Sequence, residues 1–202
     1  MQEEKLRLED LLESSNTAND DDRINNVAII GAGIMGRGIA QTVASMGLEV
    51  VIIELDSEKL ESAKEKLNDN IDNEIKRWAM TKSDKKSIFS RIKWETDMNA
   101  VKDCEIIIEA VQEDFDSKVK VFKQLDKIVN PDAIFVSNTS TLSLTNISES
   151  LSRPTKVIGM HFLNPVPKVP MVELVKSLHT SNETVLKVKE FASRIGKTPV
   201  EV

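Results

Sequence analysis

Residues 26–40 read NVAIIGAGIMGRGIA, and the fold turns on what the glycines in this stretch do. Asn26 to Ile30 is an apolar, β-branched run too short for an ordinary helix, so it reads as a strand. Beyond Gly36 the apolar residues fall at Ile39, Ala40, Val43 and Met46, which is helical spacing. Gly31, Gly33 and Gly36 therefore occupy a strand-to-helix turn, with Ile34 and Met35 between them. A helix begins with unpaired N–H groups and a partial positive charge. A phosphate reaches those groups only where no Cβ stands in the way. In such a turn Gly31 permits the sharp bend, Gly33 lets a pyrophosphate approach the backbone, and Gly36 lets the helix lie against the strand.

A glycine turn alone is also a plain joint between two elements. What separates a dinucleotide site from a joint is an acidic residue about 20 positions further on, at the end of a second strand. The segment EVVIIELD supplies it, because Val50 to Ile53 reads as a buried strand and Glu54 follows directly. A carboxylate there accepts both ribose hydroxyls of an adenosine and repels a 2′-phosphate. The expected cofactor is NAD rather than NADP.

The chain of 202 residues is long enough for one ordinary domain, or one domain and part of another. With 40% hydrophobic and 30% charged residues it has a globular composition. A net charge of −6 argues against a nucleic-acid binder. No apolar stretch is long enough to span a bilayer, so no membrane partner is expected. MQEEKLRLEDLLESSNTANDDD opens the chain without the basic start and apolar centre of a signal peptide. Residues 1–23 read as an acidic, disordered leader, with room for one short helix at Leu8, Leu11 and Leu12. The single cysteine, Cys104, excludes an internal disulfide and fits a reducing, cytoplasmic setting. It opens the strand CEIIIEA and reads as a buried structural thiol.

After Glu54, Leu60, Ala63, Leu67, Ile71, Ile75 and Trp78 recur every three or four residues as one stripe of a long amphipathic helix. DSKVKVFKQLDKIV predicts a helix with Val119, Phe122, Leu125 and Val129 inward, stopped by Asn130-Pro131. AIFVSNTSTL is a strand running into a polar turn. KVIGMHFLNPVPKVPMVELV is two strands around a proline-stiffened loop. ETVLKVKEFASRIG is a helix capped by Gly196, and TPVEV begins one more strand. Strands alternate with helices, so the expected fold is α/β: a Rossmann-type, doubly wound, mostly parallel sheet. Ligands bind such sheets at the carboxyl ends of their strands. SNTS and HFLNP both fall at such ends.

An NAD enzyme that oxidises an alcohol needs a base for the hydroxyl proton while hydride leaves. His179 lies in a polar connector, whereas His161 sits at a strand end. Glu173 follows twelve residues after His161, and reaches the imidazole if the loop containing Pro165, Pro167 and Pro170 folds back. It would then orient the ring and stabilise the imidazolium. Ser140 is a candidate donor to the substrate oxygen, and Asn138 and Asn164 are candidates for nicotinamide or ribose. The alternative for SNTS is a helix-capping turn. No metal site is expected.

In order and spacing, GAGIMGRGIAQ, EAVQED, VSNTSTL, HFLNPVP and MVELVK resemble the N-terminal domain of the 3-hydroxyacyl-CoA dehydrogenases, a family that includes the 3-hydroxybutyryl-CoA dehydrogenases. The resemblance runs from about Ile24 to Val202. It implies NAD-dependent oxidation of an L-3-hydroxyacyl-CoA to the 3-ketoacyl-CoA, a reversible step of fatty-acid or butanoate metabolism. It further implies that His161 is the base, Glu173 its orienting partner and Ser140 the donor to the substrate oxygen. Glu54, Glu113, Lys118, Ser140 and Asn164 would line the NAD site. The family holds coenzyme A along the long helix after the second strand, which implicates Asn70 and Arg77; the alternative is a solvated, charge-laced face. Glu54 stands where many relatives have Asp, one methylene shorter. Relatives continue into a helical domain that dimerises and adds a catalytic Asn. The sequence ends at GKTPVEV, so that domain is expected to be absent. Two other readings are a non-catalytic NAD-binding module that docks a separate helical partner, and a related β-hydroxyacid dehydrogenase. HFLNP argues against the latter, whose members typically use a catalytic lysine on a later helix.

Overall fold

The structure, a computed structural model, describes residues 23–202. The expectation of a disordered leader, with its short leucine helix, lies outside the described residues except for Arg23. In chain order the elements are β1 (Asn26–Ile30), α1 (Ile34–Ser45), β2 (Glu49–Ile53), α2 (Ser57–Lys76), α3 (Lys82–Arg91), β3 (Ile92–Glu95), β4 (Ile106–Glu109) and α4 (Phe115–Leu125). They continue with β5 (Ile134–Ser137), α5 (Leu144–Glu149), β6 (Val157–Phe162), β7 (Met171–Lys176), α6 (Asn182–Arg194) and β8 (Thr198–Glu201). The eight strands form one sheet in the order β3-β2-β1-β4-β5-β6-β7-β8. All neighbouring pairs are parallel except β6 and β7. The expected Rossmann-like architecture is therefore present. Its strand order reverses between β1 and β4, where a crevice opens at the carboxyl edge.

Residues of period two send alternate side chains to opposite faces of the sheet. Val27, Ile29, Ile106, Ile108 and Val136 join one core with Ile39 and Val43 of α1, Leu67 of α2 and Phe191 of α6. Ala28, Ile30, Ile107 and Phe135 join the other with Phe122 and Leu125 of α4 and Ile147 of α5. Both faces are covered, which is why the strands are almost wholly apolar. The Phe122 and Phe135 rings meet at 5.3 Å between centroids. Among the described residues, no helix is long and apolar enough to cross a membrane.

Several expectations need correction. Trp78 does not continue the α2 stripe: the helix ends at Lys76, and Trp78 has φ 59° and is 95% exposed. α4 stops at Leu125 and the chain reaches Asn130-Pro131 through turns. The cap residue of α6 is Ile195, with Gly196 one position beyond it at φ 72°. α3, β3 and α5 are additional elements. α3 buries only Ile88, so its apolar period is weak, but Thr81 and Asp84 close a capping box at its start.

Two glycines fix the entry to α1. Gly31 has φ 101°, and its N–H donates to the Ile53 carbonyl at 2.8 Å. A Cβ on Gly36 would lie 1.8 Å from the Gly31 carbonyl oxygen, so α1 packs on the turn only without a side chain there. At Gly33 a Cβ would meet nothing within 4 Å. Gly36→Ala is therefore expected to cost about 3 kcal/mol or more, a drop of roughly 6–12 °C in Tm for a chain of this size. Gly33→Ala should leave Tm almost unchanged. Thermal unfolding of the two variants checks the contrast.

Candidate active site

The turn after β1 presents the start of α1 to the crevice. Gly33 is the N-cap residue and makes no side-chain capping bond, so the first N–H groups, of Ile34, Met35 and Gly36, receive no cap from it. The space over Gly33 is open. Glu54, at the end of β2, accepts a hydrogen bond from the Ala32 N–H at 3.4 Å, which holds its carboxylate beside the turn. These residues fit a dinucleotide: an anion site without a Cβ above it, and a carboxylate one strand away.

Between β4 and β5 lies a buried ionic network. Glu109 ends β4 wholly buried; its Oε1 accepts from Lys118 Nζ at 2.6 Å and from the Val111 N–H at 2.8 Å. Its Oε2 accepts from the Ser137 hydroxyl at 2.7 Å. Lys118 Nζ also lies 3.1 Å from Glu113 Oε2. Glu113 Oε1 accepts from the Thr139 hydroxyl and from the Ser140 N–H, the latter at 3.1 Å. Burial raises the Glu113 carboxyl, but the hydrogen bonds from Thr139 and Lys118 outweigh it and hold the group below its ordinary value. Lys118 is 1% exposed, whereas the Glu113 side chain that it contacts is 38% exposed. SNTS itself does not cap a helix, since the N-cap of α5 is Ser143, three residues beyond it; Thr139 Oγ1 instead accepts from the Leu142 N–H at 3.0 Å, and Ser140 is exposed. Asn138 ties this turn to β6, its Oδ1 accepting from the Phe162 N–H at 2.9 Å.

His161 and Glu173 stand opposite one another in the antiparallel β6–β7 register. His161 Nδ1 lies 3.0 Å from Glu173 Oε2, and both side chains are partly exposed. The twelve-residue separation is a strand, a loop and a returning strand, so the loop folds back as the pairing requires. If Nδ1–H donates to the carboxylate, Nε2 is left as an acceptor. His179 instead pairs with Glu149 at 3.2 Å. Cys104 is buried, and burial followed by the charges of Asp103 and Glu105 pushes its thiol up to about 11, which keeps it inert.

A neighbouring cavity of about 330 Å³ brings together Asn70 and Arg77 of the α2 region, Ile34 and Arg37 of α1, and Asn164 and Lys168 of the β6–β7 loop. His161, Glu173 and Ser140 do not line it. Among the described residues no cluster could hold a metal ion. Sequence reading missed Glu109, Arg37 and Lys168. The signal for Glu109 is one acid closing an otherwise apolar strand, with a lysine nine residues on.

Comparison with known proteins places the chain. The family described as "3-hydroxyacyl-CoA dehydrogenase, NAD binding domain" matches residues 26–202. A Bacillus subtilis protein named probable 3-hydroxybutyryl-CoA dehydrogenase is 39% identical over 89% of this chain and 62% of its own length. A 3-hydroxybutyryl-CoA dehydrogenase of Bradyrhizobium diazoefficiens is 35% identical over 86% of this chain and 59% of its own. The crystal structure of (S)-3-hydroxybutyryl-CoA dehydrogenase from Ralstonia eutropha superposes with a TM-score of 0.86 at 41% identity, covering 89% of this chain and 63% of that one. The chain thus spans about six-tenths of the length of these relatives. It belongs to the 3-hydroxyacyl-CoA dehydrogenase family, and residues 26–202 are the family's NAD-binding domain.

Proposed function

We propose that the chain carries the cofactor and general-base half of an enzyme that oxidises an L-3-hydroxyacyl-CoA, such as 3-hydroxybutyryl-CoA, to the 3-ketoacyl-CoA. The observation that carries this reading is the 3.0 Å contact between His161 Nδ1 and Glu173 Oε2 at the carboxyl edge of a sheet built for a dinucleotide. NAD, when bound, supplies the hydride acceptor for the carbinol C–H. His161 Nε2 takes the hydroxyl proton as the C–O bond becomes a carbonyl, and Glu173 stabilises the resulting imidazolium. In the reverse direction the same nitrogen returns the proton. Ser140 donates to the substrate oxygen, held in place by Glu113, and Asn138 and Asn164 border the nicotinamide end. Gly31, Gly33, Ile34, Met35 and Gly36 form the pyrophosphate cradle, and Glu54 takes the adenosine ribose. Asn70 and Arg77 take coenzyme A in the cavity beside α2.

The same proposal assigns residues 24–202 to the cofactor domain and residues 1–23 to a segment outside it. It places the work in the cytoplasm, on the support of a single buried thiol. Relatives extend beyond the matched segment, and that extension is the proposed second wall of the substrate pocket and the dimer contact.

Two outcomes are expected. Titration of nicotinamide fluorescence should give at least about tenfold tighter binding of NADH than of NADPH, about 1.4 kcal/mol, and Glu54→Ala should narrow the gap; equal affinities would remove the role of Glu54. With acetoacetyl-CoA and NADH, His161→Ala should lower turnover by about 10²–10⁴ and leave NADH binding intact. The measurement is made on the chain and on a fusion to the remaining segment of the Bacillus subtilis relative. NADH binding without turnover in either form would favour the non-catalytic module.

A further inference from the structure

The loop between His161 and Glu173 is held from beneath by a cation that the dehydrogenase chemistry does not use. Lys197, just before β8, is 5% exposed. Its Nζ donates to the Val166 carbonyl at 2.5 Å and to the Val169 carbonyl at 2.6 Å. Among the described residues it forms no ion pair with a carboxylate, so both neighbours that satisfy it are main-chain oxygens of one loop. An ammonium is costly to bury, and hydrogen bonds are what keep it there.

Other contacts converge on the same segment. The Thr198 N–H donates to the Pro170 carbonyl at 2.7 Å. Val166 is buried in the core, and a Cβ on Gly38 of α1 would come within 3.0 Å of it. Within the loop, the Lys168 and Val169 N–H groups both donate to the Pro165 carbonyl. The loop is therefore clamped between α1 and the start of β8. Asn164 and Lys168 project from it into the cavity shared with Arg37, Asn70 and Arg77. Residues 198 and 200 of β8 also pair with Met171 and Glu173 of β7, so the start of β8 adjoins both the loop and the strand that carries the base's partner.

We infer that Lys197 is a positioning residue: its ammonium staples the 163–170 loop, and through it sets the placement of Asn164 and the wall of the substrate cavity beside the His161–Glu173 pair. The inference rests on the proposed function only for its kinetic consequence. Main-chain carbonyls do not select one donor geometry, so a guanidinium that reaches the same two oxygens should serve, whereas an isosteric thioether should not.

The loop contains its own reporter, because Lys168 is an exposed trypsin site within it. In Lys197→Met, cleavage after Lys168 should accelerate at least about tenfold, as the open loop becomes more populated, while other tryptic sites keep their rates. Lys197→Arg should restore slow cleavage. ADP-ribose, which uses only the glycine turn and Glu54, should bind Lys197→Met within about twofold of the unmodified chain. Turnover of acetoacetyl-CoA should fall at least about tenfold, with recovery in Lys197→Arg. Unchanged cleavage at Lys168 would overturn the inference. So would uniform acceleration at every site together with loss of ADP-ribose binding, since that would make Lys197 a general stabiliser. Absence of turnover in the unmodified chain bears on the proposed function alone, and the cleavage pattern still decides the role of Lys197.

Discussion

Lys118 Nζ, sealed between Glu109 and Glu113, binds the carboxyl edge of the sheet into one piece. Glu109 ends β4, Lys118 sits on α4, and Glu113 precedes that helix. Through Ser137, Thr139 and the Ser140 N–H the two carboxylates also reach the end of β5. Two carboxylates around one buried ammonium leave each charge with a partner. Removing the lysine would leave the buried Glu109 carboxylate without a counter-charge, a loss of the order of 3–5 kcal/mol for a broken buried pair. The polar turn that carries Ser140 thus depends on a charge buried behind it.

From that turn the order passes to the next strand. Asn138 accepts from the Phe162 N–H, one residue beyond His161, and the antiparallel step from β6 to β7 places Glu173 opposite that histidine. The sheet is parallel up to β6, so the ends of β1, β2, β4, β5 and β6 all open on one edge. A further parallel strand would have brought a different end of β7 to this edge. The reversal is what makes a histidine–carboxylate pair from residues on adjacent strands. The glycine turn faces the same crevice from the other side of the switch point.

Much of this was legible because it rests on local pattern. The strand, glycine turn, helix, strand and Glu54 follow one another within thirty residues, and each is set by sterics and apolar period. Spacing alone left the His161–Glu173 pair conditional on the return of the proline loop, and the resemblance supplied the pairing. The burial of Lys118 was not legible: a lysine in a helical run reads as solvated until the topology brings Glu109 against it. Trp78 fitted the helical period, yet α2 ended before it and a left-handed residue turned its ring to solvent. α3 and β3 carry too few apolar residues for their period to stand out. Lys197 carries no signal in the sequence, because its partners are carbonyls roughly thirty residues away that no side-chain pattern reveals.

The central claim is that one crevice holds both the dinucleotide and the reacting carbonyl against His161. A crystal structure of the chain with NADH and acetoacetyl-CoA tests it most directly. The account predicts the pyrophosphate at the start of α1, the adenosine ribose on Glu54, and the ketone oxygen about 2.6–3.2 Å from His161 Nε2. A dinucleotide in that place with the ketone oxygen out of reach of His161, or a pyrophosphate bound away from Gly33, would contradict it.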